Sequence, residues 1–164
     1  TSLNEGFETS IPASWKNIKV SGDKAWYWTS FTNSETNETD TYVAMTGYKG
    51  TQPPFETWLI SPALDVKDAT NKILTFKTQR NAYGDNDLEA YILTSNDPKT
   101  ATKTKLNIAL PTKPAEKYSG WLNAGNFDLS SYGDVVYVGF YYKSTDASNS
   151  ATWCVDDVKF GLSE

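Results

Sequence analysis

Apolar and polar residues alternate along much of this chain with a period of two. In VVYVGFYY (135–142), Val136, Val138, Phe140 and Tyr142 fall on one face of an extended segment, and Tyr137, Gly139 and Tyr141 on the other. KILTFKT (72–78), LEAYILT (88–94) and TWCVDDVKF (152–160) are equally rich in β-branched and aromatic residues. Earlier segments of the same kind are WKNIKV (15–20), AWYWTSF (25–31), TYVAMTG (41–47) and TWLIS (57–61). Between them lie SGD, YKGTQPP, YGDND and SNDPKT, all turn chemistry. No stretch sustains a helical period with caps; DVKDAT (65–70) offers at most one short turn. The most loop-like segments are 32–40 and 96–105. About ten short strands separated by turns predict an antiparallel β-sandwich or barrel.

Composition narrows the class. The chain has 164 residues, enough for one domain with a real core and too few for two ordinary ones, so residues 1–164 read as a single domain. Its 6 Trp, 10 Tyr and 7 Phe exclude a disordered chain. A net charge of −5 without a basic run makes nucleic acid a poor partner. No apolar run is long enough to span a bilayer. The first residue is Thr1, which reads as a processed or excised product with any targeting segment removed.

Two absences limit the chemistry. There is no His, which excludes Ser-His-Asp and Cys-His catalysis and every His-ligated metal site. The single Cys154 lies mid-strand beside Trp153 and reads as a buried, inert thiol. There is no Gly-rich phosphate loop and no nucleophile elbow. Glu56, Asp65, Asp85, Asp87 and Glu89 provide carboxylates but no paired glycosidase pattern, so the chain is not expected to be an enzyme.

Asp156 and Asp157 interrupt the last strand, although Asp is depleted in strands and an unpaired buried carboxylate is costly. Two arrangements would relieve this. One Asp caps a turn or pairs with Lys while the other faces water, or a cation joins them to Glu8 in the N-terminal segment. Strict alternation would put Asp157 with Trp153 and Val155, and Asp156 with Cys154 and Val158. The aromatic surplus is equally open. Trp26, Tyr27 and Trp28 are consecutive, so at least one ring of the three points away from the core. Tyr137 and Tyr141 flank Gly139, leaving a flat strip on which a sugar ring could stack; core packing or cross-strand ring pairs would account for the same residues.

Taken in order, FETSIPASW (7–15), TWLISPALDV (57–66), GWLNAGNFDLSSY (120–132), VGFYYKS (138–144) and WCVDDV (153–158) form a pattern that resembles the cleaved-adhesin / choice-of-anchor J family of Bacteroidetes surface and secreted proteins. That resemblance implies a jelly-roll β-sandwich of galactose-binding-like type, usually without catalysis and often with structural calcium. It matches Phe7-Glu8 and Asp156-Asp157 to the family's N-terminal Phe-Glu and C-terminal Asp-Asp, which makes Glu8, Asp156 and Asp157 the candidate metal ligands. The acidic turn 84–87 corresponds loosely. SGDKAW (21–26) carries Asp23 as its sole acid, so a second calcium site is not expected there. The implied role is an adhesion or ligand-binding module, extracellular or on the bacterial surface. It would act as a monomeric part of a larger protein that contacts carbohydrate or a host protein. Trp26, Trp28, Tyr137 and Tyr141 are the candidate contact residues. A structural accessory domain beside an enzyme, or a carbohydrate-active hydrolase, are the alternatives.

Under this reading TWLISP puts Leu59 and Trp58 on opposite faces of a strand that ends at Pro62. NFDLSSY runs a strand into a turn, with Phe127 and Leu129 in the core and Asp128 bonding nearby backbone.

Overall fold

A computed structural model describes residues 2–162. Among these described residues thirteen strands form: β1 (Leu3–Glu5), β2 (Lys16–Ser21), β3 (Tyr27–Thr32), β4 (Thr39–Met45), β5 (Phe55–Ile60), β6 (Leu64–Asp65), β7 (Ile73–Arg80), β8 (Glu89–Leu93), β9 (Lys103–Lys105), β10 (Leu122–Asn123), β11 (Phe127–Asp128), β12 (Val135–Ser144) and β13 (Trp153–Phe160). The first sheet runs β10-β7-β13-β4-β3, with β1 added to β13 and β11 to β7. The second runs β2-β5-β12-β8-β9, with β6 added to β12. Every pairing is antiparallel, and the two sheets make the expected sandwich. No helix of the described residues is long and apolar enough to cross a membrane.

All eight long strands fall where the period-two runs lie. Of the five strands of two or three residues, β11 falls in NFDLSSY, where a strand was expected; the other four do not announce themselves, and β9 occupies the end of a segment expected to be loop. In DVKDAT, Asp65 ends β6 and residues 66–68 form the one short turn expected. Leu59 faces the main core and Trp58 the opposite side, as read from TWLISP. Leu129 is buried and Asp128 Oδ1 accepts from the Ser130 N–H.

The core lies between the sheets. Phe76, Trp153, Val155 and Phe160 from the first sheet meet Leu59, Val136, Val138 and Phe140 from the second. Each such side chain contributes about 1.5–3 kcal/mol by leaving water. Strict alternation fails in β13, because the pairing with β7 shifts register between Asp156 and Lys159 and Asp157 has φ 51°. This bulge returns Val158 to the core beside Val155 instead of leaving it with Cys154 and Asp156.

Candidate functional site

The outer face of the second sheet is built by register. Ile18, Trp58, Tyr141 and Glu89 lie opposite one another across β2, β5, β12 and β8. The neighbouring row is Lys16, Ile60, Gly139, Tyr91 and Lys105. Directly opposed residues on antiparallel strands sit close enough for rings to touch. Trp58 therefore packs on Tyr141 at 4.7 Å between centroids and on Tyr91 at 5.4 Å. Tyr137, Leu93 and Ala101 complete this cluster.

The strip beside Gly139 is not open. A Cβ at this position would stand 2.7 Å from Leu93 Cδ1 and 3.0 Å from the Trp58 ring. Gly139 exists so that these side chains can close over the backbone. Tyr137 and Tyr141 are thus half-buried members of a ring cluster, not two rings flanking a bare platform.

The polar rim gives the face its chemistry. Glu89 accepts a 3.0 Å hydrogen bond from the Tyr91 hydroxyl and lies 3.8 Å from Lys105 Nζ. Burial, with Glu56 beside it, pushes the Tyr141 phenol well above its ordinary range. Tyr141 and Glu89 form one side of a cleft of about 620 Å³, with Asp87, Lys105, Asn107 and Lys143 also lining it. A smaller cleft of about 460 Å³ lies across Trp58, bordered by Ile18 and Glu56.

The segment 84–88 that walls the larger cleft is firmly anchored. Asn86 accepts from the Ala151 N–H at 2.8 Å, donates to the Lys143 carbonyl at 3.1 Å, and offers its own carbonyl to the Trp153 indole at 2.8 Å. Gly84 has φ 72°, and a Cβ there would strike Ala151 N at 2.0 Å. Buried Arg80 donates to the Gly84 carbonyl at 2.7 Å and lies 5.1 Å from the Trp153 ring. Asp85, one of the two acids of the loosely matched turn, pairs with Lys113 at 2.9 Å.

The Trp26-Tyr27-Trp28 triplet divides differently from expectation. Trp26 is 2% exposed and belongs to the core. Trp28 is half-buried and donates its indole N–H to the Phe7 carbonyl at 2.7 Å. Trp26 presents no ring surface, Trp28 keeps part of its side chain exposed, and Tyr27, at 40% exposure, faces out. Trp58 and Tyr91 were not picked out as contact residues. The one signal was Glu89 sharing a strand face with Tyr91. Nothing in the sequence states that β5 lies beside β12.

The metal candidates separate into two environments. β1 pairs with β13 up to Glu5 opposite Val158, and the chain then turns at Gly6 and Phe7, the latter with φ 45°. A methyl group on Gly6 would lie 3.4 Å from Glu8 Oε1 and 3.9 Å from Asp157 Oδ1. These two carboxylates thus flank the same glycine, and Lys77 Nζ stands 3.6 Å from Asp157 Oδ2. Asp156 points away, on the Cys154 face of the sheet. Its Oδ1 is buried without a hydrogen-bond partner, and burial pushes its carboxyl up to about 7, with Asp157 and Asp40 adding to the rise. Among the described residues, no three Asp, Glu, His or Cys side chains form a group able to hold a metal. A cation at Gly6 would need backbone carbonyls and water besides Glu8 and Asp157. The Gly6 carbonyl accepts a long 3.5 Å bond from the Thr41 hydroxyl.

Cys154 is fully buried, and burial pushes its thiol up to about 12. It is inert, as its position in the strand implied.

No protein-family model matches the sequence, and no curated protein matches it. Solved structures do. The K1 cleaved adhesin domain of Lys-gingipain from Porphyromonas gingivalis aligns with a TM-score of 0.67 and 22% identity, over 100% of this chain and 99% of that one. The K3 cleaved adhesin domain of the same protein gives 0.64 and 23%, over 98% of each chain. TmCBM61, solved in complex with β-1,4-galactotriose, gives 0.53 and 12%, over 96% of this chain and 95% of that one. The chain has the all-β, two-sheet fold of the gingipain cleaved adhesin domains, and carbohydrate-binding modules share that architecture.

Proposed function

We propose that this chain is a non-catalytic carbohydrate-binding module of an exported bacterial protein, acting in adhesion outside the cell or at its surface. The observation that carries the reading is the cleft beside Tyr141, where one ring meets Asp87, Glu89, Lys105, Asn107 and Lys143. Sugars present C–H faces that pack on rings and hydroxyls that need several convergent polar groups. The cleft offers both, on walls tied down by Asn86 and Arg80. The shared fold with gingipain adhesin domains and with a galactotriose-bound module supports the assignment. Glu89 is engaged by Lys105 and Tyr91, and the chain has no His, which favours binding over turnover.

Calcium at the Gly6 turn is part of the same proposal. Glu8 and Asp157 would supply hard oxygen ligands and tie the first strand to the last; Asp156 would not. The charge of the ion would also satisfy Asp157 better than the 3.6 Å contact with Lys77 does.

A glycan array followed by calorimetry tests the binding. At least one polysaccharide class should bind, and Tyr141→Ala should weaken it at least about tenfold, or about 1.4 kcal/mol, without unfolding the chain. No bound glycan, or binding unchanged by Tyr141→Ala and Glu89→Gln, overturns the site. Hydrolysis of any bound polysaccharide would overturn the non-catalytic reading. Chelation should lower Tm and calcium restore it, with about 2.7 kcal/mol gained at a hundredfold excess over Kd. A Tm indifferent to chelation would remove calcium and leave the sugar site standing.

A further inference from the structure

The two sheets end in four open edges, β10 and β3 in the first and β2 and β9 in the second. An open edge is a row of unpaired N–H and C=O groups that a free strand can join, and proteins blunt it with lysine, bulges or shortness. β10 has two residues. β9 is Lys103-Thr104-Lys105. β2 carries Lys16 and Lys19, and its pairing shifts register before Ser21. β3 has none of these devices. It runs six residues, Tyr27–Thr32, without a charge, Pro or Gly, and its register against β4 is unbroken. Among the described residues it pairs with β4 alone.

The side chains of β3 restrict what fits beside it. Tyr27, Thr29 and Phe31 stand on the outer face of the sheet, in the rows of Ala44, Tyr42 and Asp40. Phe31 is 60% and Tyr27 40% exposed. Phe31 also lines a groove of about 470 Å³ on that face together with Tyr42, Tyr118 and Trp121, and Trp121 meets Tyr42 edge to face at 5.2 Å. Lys24 precedes β3, and its neighbour Asp23 is turned onto Thr51 and Gln52. The turn 33–38 that follows β3 exposes Glu35 and Glu38. The edge is thus positive at its start, negative at its end and uncharged between.

We propose that β3 is a self-pairing edge: two copies of this chain join antiparallel, β3 to β3, about a two-fold axis at Thr29. With Thr29 opposite its own counterpart, Tyr27 of each copy stands opposite Phe31 of the other, twice by symmetry. This register covers both exposed rings and sets Thr against Thr on the axis. A shift of two residues separates the rings. The antiparallel direction also brings Glu35 and Glu38 of each copy to the Lys24 end of the other, so the charges of the edge complement themselves. Six paired residues run about 20 Å. The two first sheets become one continuous sheet with both second sheets beneath it. The two Tyr141 clefts then open on the same side and can hold one polysaccharide at two points; that consequence rests on the sugar reading, whereas the pairing does not. The family resemblance implies a monomeric module, and the unblunted, self-complementary edge argues for two copies instead.

Sedimentation equilibrium of the whole chain, from about 1 μM to about 1 mM, tests the pairing over the range of weak self-association. The mass should rise from 18.2 kDa toward twice that value. Thr29→Lys sets two like charges on the axis and should hold the chain at the monomer mass throughout. Thr29→Glu should do the same, and an equimolar mixture of the two variants should recover the dimer, because only a register with position 29 on the axis joins Lys to Glu. Phe31→Lys should also abolish the dimer while leaving Tm nearly unchanged, since that ring is exposed in the single chain. A parent chain that stays monomeric to about 1 mM overturns the proposal. So does a dimer that survives Thr29→Lys and Phe31→Lys, and so does a mixture of the two Thr29 variants that stays monomeric. If the Thr29 variants fail to fold, the parent mass and Phe31→Lys still decide it. None of these measurements involves a sugar, so their outcome is separate from that of the carbohydrate site.

Discussion

The ring cluster on one outer sheet face and the groove on the other are each built from four aromatic rings, yet they end as different surfaces. On the second sheet, Trp58, Tyr91 and Tyr141 come from adjacent strands in register, so their contacts are set by strand spacing. They fill one another's space and close over Gly139, and a ring of Glu and Lys surrounds them. On the first sheet the aligned strand positions are Ala44 and Cys154, too small to fill the face. The rings stand around that gap, and half of them arrive on the segment 117–121. Aromatic content is therefore a poor guide to surface shape. What decides the shape is the size of the residue at the centre of each row and whether its neighbours bend over it.

This contrast predicts a graded series of effects. The largest belongs to Trp58, which is 5% exposed at the centre of its cluster. Trp58→Ala should cost about 3–5 kcal/mol in denaturant unfolding. Tyr118→Ala, on the rim of the other face, should cost less than about 1 kcal/mol. Similar losses at both positions would mean that the faces are packed alike.

Next is Gly139→Ala, which forces Leu93 and Trp58 apart and should cost about 1–3 kcal/mol by overpacking. A neutral result would mean that these side chains move aside freely and that the strip between Tyr137 and Tyr141 is available after all.

The faces also differ in how their carboxylates are partnered. Asp156 keeps a buried oxygen with no donor, whereas Glu89 has Tyr91 and Lys105. Asp156→Asn should raise Tm by a few degrees in calcium-free buffer at pH 8, where the ionised Asp156 is least well accommodated. Glu89→Gln should stay within about 0.5 kcal/mol of the parent. A fall in Tm for Asp156→Asn would show that this carboxylate is held by something other than the groups seen around it.

The smallest effect lies outside both faces. Asp23 accepts from the Thr51 hydroxyl at 2.7 Å and from the Thr51 and Gln52 N–H groups, which bring its carboxyl down to about 2. A depressed pKa gives stability that is present above the unfolded value and lost as pH falls toward 2. Asp23→Asn should therefore remove a small acid-side decline in Tm between about pH 4 and pH 2. An unchanged acid limb would show that the 50–54 loop does not depend on this charge.

Much of the fold could be read from the sequence because period two is a local signal. β12 and the first half of β13 declared both faces, and TWLISP placed Leu59 and Trp58 correctly on opposite sides. What escaped was non-local. The bulge at Asp157 moves Val158 across the sheet; the Asp pair marks an interruption of the strand, but not which of the two takes the positive φ. The cover of Gly139 by Trp58 and Leu93 depends on β5 and β8 both flanking β12. The groove on the first sheet needs Trp121 to return over Tyr42 across nearly half of the chain. Trp26 was read as a surface ring because three consecutive aromatics cannot all face inward, a correct rule that did not say which one emerges. The answer was Tyr27.

The most direct test is to map where a bound sugar touches. The oligosaccharide that ranks highest on the glycan array, titrated into the labelled chain, should shift Glu89, Tyr141, Asn107 and Lys143 together. The Trp121 indole should stay unmoved. Shifts centred on Trp121 and Tyr42, with the Tyr141 cleft silent, would contradict the assignment of the second sheet as the carbohydrate-binding face.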